Sequence, residues 1–264
     1  MTGRAPLALA LAALTILGLG ATAGSGAEEG TASKAKPRQV VRAAGDISKA
    51  INRFRALLGP DRGGVPQHYG SGRRELNWDG VPDGLAAPHA LPGGFFNAAT
   101  EPRARGALLA TPGDHVAVSA DADNPDVAAV RFGDVNPAYS DQFQTFSPER
   151  LFSPIGSNVV NLTFRVPGTG QRATVRGFGA VYTDVDRREN TAFEYFGAGG
   201  RSLGTFAVPP KPQGLSFLGA VFRRAAVARV RIEYGSGPLG PLDGGNYDAA
   251  VMDDFIYGEP QPRG

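Results

Sequence analysis

Val160-Asn161-Leu162-Thr163-Phe164-Arg165-Val166 decides the fold class. Apolar side chains fall at every second position with polar ones between, the period of a strand with one buried and one wet face. Arg229-Val230-Arg231-Ile232-Glu233-Tyr234 repeats the pattern with charges on the outer side. Outward from these two stretches, shorter segments read the same way: Leu76 with Trp78, Val116 with Val118, Phe193 with Tyr195, and residues 175–183, 203–208 and 251–257. Residues 217–222 are apolar throughout, which predicts burial on both faces. Gly177 and Gly179 mark places where a large side chain opposite can approach closely. The 37 glycines and 21 prolines supply turns between short strands. About ten such strands, with no strand–helix alternation, predict an all-β fold, a two-sheet antiparallel β-sandwich of jelly-roll type over residues 59–260.

One amphipathic helix precedes the sandwich. Ile47, Ile51, Phe54 and Leu58 recur at helical spacing, Asp46 stands where a cap belongs, and Gly59-Pro60 ends the run, so a helix is expected over 46–58. Its apolar stripe suits docking on a sheet better than a membrane surface. At the start of the chain Arg4 precedes an uncharged apolar run over 5–20, followed by the small-residue exit Ala21-Thr22-Ala23. That is the build of a secretory signal peptide over 1–23, with an uncleaved anchor as the alternative, and a flexible linker is expected over 24–45. The mature chain is therefore expected to be secreted or held in the cell envelope. No later stretch is long enough to span a membrane.

Composition removes several chemistries. The absence of cysteine excludes disulfides, thiol catalysis and cysteine zinc sites. Without residues 1–23, which carry one of the 27 basic residues, 26 basic side chains face 25 acidic ones. Basic pairs such as Arg223-Arg224 are isolated, so nucleic acid is not an expected partner. His68, His89 and His115 lack metal-ligand spacing, and no Gly-x-Ser-x-Gly elbow or phosphate loop occurs. No catalytic residue is assigned.

Carboxylates and aromatics remain. Asp253 and Asp254 interrupt the apolar last strand, and strand geometry sends neighbours to opposite faces, so only one of them should reach a given site. If the first and last strands lie side by side, Asn77 and Asp79 approach Asp253 or Asp254, an all-oxygen set suited to a structural Ca²⁺ ion; an arginine such as Arg74 is the alternative partner. Trp78, Tyr139, Phe95 and Phe96 are candidates for a sugar-stacking groove, with core packing as the competing role for Trp78.

Several stretches resemble a group of secreted bacterial proteins without an established activity, many of which carry a Pro-Glu-Pro (PEP-CTERM-type) sorting tag. The matching pieces are Arg74-Glu75-Leu76-Asn77-Trp78-Asp79-Gly80, Phe132-Gly133-Asp134-Val135-Asn136-Pro137, Gly177-Phe178-Gly179-Ala180-Val181-Tyr182-Thr183-Asp184-Val185-Asp186, Leu215-Ser216-Phe217-Leu218-Gly219, and Met252-Asp253-Asp254-Phe255-Ile256-Tyr257-Gly258-Glu259-Pro260. The paired aspartates also resemble those of carbohydrate-binding jelly rolls, where they can lie near calcium. The tag's hydrophobic span and basic cluster do not follow Glu259-Pro260 here. Export, a sandwich and no recognisable nucleophile–base set together point to a non-catalytic binding module for polysaccharide or an extracellular matrix component. The alternatives are a carbohydrate-active hydrolase or lyase using Asp184, Asp186 or Glu189, and a structural envelope or biofilm protein.

Overall fold

The alternating segments pair into two antiparallel sheets in the computed structural model, which describes residues 36–243 and 246–263. The expected signal segment 1–23 lies outside these residues. The larger sheet runs β1 (Gln39–Ala44), β11 (Lys211–Val221), β8 (Gly177–Val185), β13 (Val251–Gly258), β5 (Phe152–Ile155) and β4 (His115–Val118), with β2 (Arg73–Leu76) also on β13. The smaller runs β10 (Ser202–Ala207), β9 (Ala192–Phe196), β12 (Arg229–Glu233), β6 (Val159–Phe164) and β3 (Ala107–Ala110). A short ribbon pairs β7 (Ala173–Thr174) with β14 (Gln261–Pro262). The protein is an all-β sandwich.

The two stretches that announce the fold lie side by side, β6 against β12, with Val230 opposite Leu162. Their apolar faces (Val160, Leu162, Phe164, Val230, Ile232) bury against Phe178, Tyr182, Phe255 and Tyr257 of the larger sheet. Phe178 meets Phe193 edge-on at 5.0 Å between ring centroids. Tyr195 donates its hydroxyl to Phe178 O at 2.9 Å and Tyr182 to Glu233 O at 3.1 Å. Each bond ties one sheet to the other while satisfying a phenol that burial would otherwise leave unpaired.

The larger sheet is covered on its second face as well. Helix α1 (Ser48–Leu58) lays Ile51, Phe54 and Leu58 on Val181, Phe217, Val221 and Ile256. Asp46 Oδ1 accepts the Ser48 N–H at 3.1 Å, which begins the helix two residues after the aspartate. Gly179 and Gly219 stand opposite each other on β8 and β11. A Cβ on Gly219 would come within 2.5 Å of the Phe54 ring, so the paired glycines make the seat for that ring. Beyond α1 the same face is closed by Phe132 and by Tyr139 and Phe143 around the short helix α2 (Tyr139–Gln142), packed on Ala117, Leu151 and Val251. Strands β8 and β13 are consequently buried along their whole length. The smaller sheet keeps its outer face wet.

The linker expected over 24–45 ends sooner than the sequence suggested. Residues 39–44 form edge strand β1, in register with β11 from Gln39 opposite Val221 to Ala44 opposite Ser216. Only Val40 and Val41 are strongly apolar there, too few to announce a strand. The exposed edge of β11 supplies the backbone partners that local pattern does not reveal. Among the described residues no helix is long and apolar enough to cross a membrane.

Candidate functional site

The paired aspartates Asp253 and Asp254 lie on β13. Strand β13 bulges between Met252 and Phe255: three steps on β13 face two on β8, where Met252 pairs with Tyr182 and Phe255 with Ala180. An inserted residue cancels the alternation. Asp253 and Asp254 therefore converge on one partner, correcting the expectation that only one could face a site. Ser147 Oγ lies 3.0 Å from Asp253 Oδ1 and 3.0 Å from Asp254 Oδ1. Asp253 Oδ2 also accepts the N–H groups of Phe146 at 2.6 Å and Ser147 at 3.3 Å. One serine hydroxyl carries one proton and cannot donate to two carboxylates, so the pair is best satisfied when one carboxyl keeps its own proton. Burial, then the neighbouring Asp254 charge, pushes the Asp253 carboxyl well above the usual range. Burial lifts Asp254 to about 6.

The four residues proposed as calcium ligands meet only in part. Strand β2 does pair with β13, and Asn77 Nδ2 reaches Asp254 Oδ1 at 3.5 Å and Ser147 Oγ at 2.9 Å. Asn77 turns its nitrogen inward because its oxygen accepts the Asp79 N–H at 2.9 Å. Asp79 turns away to accept the Arg150 N–H at 2.9 Å. An amide nitrogen and carboxylate oxygens already engaged by N–H and O–H donors do not fit a calcium ion, which takes six or more oxygens. Arg74 is not the partner either. It forms a fully buried ion pair with Glu259, its Nε at 2.6 Å from Oε2, and donates to three backbone carbonyls of the 59–72 loop.

The aromatic groove is corrected as well. Trp78, Phe95, Phe96 and Tyr139 are all buried. Trp78 stacks on Phe152 at 4.3 Å, meets Phe96 edge-on, and donates its indole N–H to Asp253 O at 2.8 Å. Phe95 packs on Phe96, while Tyr139 belongs to the separate cluster around Phe143. In a chain that must cover two sheet faces, large rings go to the core. Asp184 and Asp186 border a cavity of about 340 Å³ with Asp243 and Gln142. Burial raises Asp184 to about 6, while Gln142 Nε2 donates to both Asp184 and Asp243. Glu189 is exposed and does not border this cavity.

A further recess lies beside the β9–β10 hairpin and contains none of the residues singled out as ligands. A cavity of about 660 Å³ is bordered by Gly197, Gly199, Arg201, Arg224 and Arg263. A second of about 240 Å³ adds Arg165, Arg172 and Arg229, and the two share Gly197, Ala198 and Arg263. The β9–β10 hairpin forms their common wall, closed by Gly200 N–H to Gly197 O at 3.0 Å with Gly200 at φ +79°. Arg263 donates to Ala198 O at 2.7 Å and Arg229 to Asn161 Oδ1 at 2.7 Å, fixing two guanidinium groups. The Arg229 guanidinium lies 3.7 Å over the Phe196 ring. Arg165 and Arg172 face each other across an antiparallel bridge. Burial, then the charges of Arg172 and Arg263, lowers the Arg165 pKa.

Sequence reasoning missed this cleft because its arginines are scattered over a hundred residues. The available signal was their position beside turns: Arg165 and Arg172 flank 167–171, Arg201 follows 197–200, and Arg224 ends the run after β11. Comparison with protein-family models, with curated proteins and with solved structures finds no match for this chain.

Proposed function

We propose that this protein is an exported, non-catalytic module that binds polysaccharide in the cleft beside residues 197–200, in the cell envelope or outside the cell. The observation that carries the reading is the recess itself. It is of ligand size, walled by turns, and built on a sandwich whose core is tied sheet to sheet. The signal-like segment 1–23, and the resemblance to exported proteins that carry sorting tags, support the location.

Gly199 provides the test. It borders the cleft, and a Cβ there meets nothing within 4 Å, so Gly199→Trp fills the recess without disturbing the wall. The mature protein is expected to bind polysaccharides on an array, and Gly199→Trp to abolish that binding with an unchanged melting temperature. Binding that survives the substitution would place the ligand elsewhere. Release of reducing ends from the bound polysaccharide would turn the reading toward a hydrolase, for which the Asp184–Asp186 cavity is the place to look.

A further inference from the structure

Resting on that reading, we infer that the cleft selects anionic polysaccharide, its arginines receiving the carboxylate or sulfate groups of an acidic glycan. Six arginines (Arg165, Arg172, Arg201, Arg224, Arg229 and Arg263) border the two adjoining cavities, and among the described residues no carboxylate borders either one. Arg165, Arg172, Arg224, Arg229 and Arg263 form no ion pair among the described residues. Elsewhere among the described residues some arginines are matched with carboxylates (Arg55 and Arg73 with Glu75, Arg74 with Glu259, Arg150 with Asp83 and Asp121) and others, such as Arg42 and Arg62, are not, so what sets the cleft apart is the number of guanidinium groups gathered on its border without a carboxylate. The excess of positive charge beside the cleft is local, because without residues 1–23 the chain has nearly equal numbers of basic and acidic residues.

Holding these groups together works against folding. Like charges opposite one another on paired strands are destabilising, and Arg165 and Arg172 occupy such positions. A bound anion relieves that repulsion, so affinity is gained from charge already assembled in the free protein. Guanidinium groups match carboxylate and sulfate through paired N–H donors. A glycan suits the site better than nucleic acid. Strand-binding proteins offer aromatic faces for bases, whereas Phe196 is already covered by Arg229 at 3.7 Å. The charge also fills a recess beside one hairpin instead of a stripe that could follow a backbone.

The experiment uses matched polymers: polygalacturonate against fully methyl-esterified pectin, dextran sulfate against dextran, and double-stranded DNA, each at low and raised sodium chloride. Arg172 and Arg224 are exposed, so Arg172→Gln/Arg224→Gln is expected to fold normally. The acidic member of at least one pair should bind and its neutral partner should not, with salt weakening the complex. The double substitution should lower affinity about tenfold, as for the loss of a charge-assisted hydrogen bond. Whichever acidic polymer binds identifies carboxylate or sulfate as the recognised group. Equal binding of a neutral partner, unaffected by the double substitution but blocked by Gly199→Trp, overturns the charge inference and leaves the polysaccharide reading intact. Tighter binding of DNA than of either acidic polymer overturns the choice of glycan. No binding to any polysaccharide overturns both.

Discussion

The interior and the hairpin end of this protein treat charge in opposite ways. Inside, Arg74 and Glu259 neutralise each other, while Asp253 and Asp254 share a serine hydroxyl and the backbone N–H groups of Phe146 and Ser147. These four side chains are answered within the fold, as the cost of burying charge requires. At the hairpin end the arginines meet backbone carbonyls, an asparagine, a ring and one another, but no carboxylate borders the cavities among the described residues. A closed polar network holds a structure together, whereas guanidinium groups gathered without a carboxylate on their border suit an anionic ligand. The comparison separates the acidic residues that the sequence offered as a site from the basic residues proposed to form one.

Three measurements would break or sharpen this contrast. The largest effect is expected at Arg74. Replacing it with methionine strands Glu259 as a lone buried charge and should cost about 3–5 kcal/mol in urea unfolding; a change below 1 kcal/mol would mean that the interior pair is not needed.

The second effect is pH-dependent. The folded-state pKa of Asp254 is about 6, above the ordinary carboxylate value, so its protonated form favours the fold. That contribution is fully present below about pH 4 and is lost as pH rises through about 6, on the order of 2–3 kcal/mol. Unfolding free energy should therefore fall between those values, and Asp254→Asn should flatten part of the slope. A parallel profile in the variant would remove Asp254 as the source.

The smallest effect belongs to the hairpin end. Arg172→Gln relieves a like-charge contact at an exposed position and should leave stability within about 0.5 kcal/mol of the parent, on the stabilising side. Clear destabilisation by calorimetry would show that this arginine is answered after all.

Much of the fold was legible before any coordinates. Alternation in 160–166 and 229–234 announced one-sided strands, and both are central pairs of the wet-faced sheet. The stripe of Ile47, Ile51, Phe54 and Leu58 announced a helix docked on a sheet, and Gly179 announced the close approach that Phe54 makes. The candidate site was far less legible. Alternation put Asp253 and Asp254 on opposite faces, and a single bulge residue reversed that. Trp78 and Tyr139 carry no local sign of whether their rings face water or core; the neighbouring elements decide it.

By itself the sequence determined the element types, the sandwich and the helix, because strand and helix periods are properties of neighbouring residues. Only the tertiary structure decided which charges would be paired and which left open. Arg165, Arg172, Arg224, Arg229 and Arg263 belong to several separate turns along the chain, and it is the antiparallel return of the strands that brings those turns together. Electrostatic energy depends on distance in space, and chain order does not encode that distance.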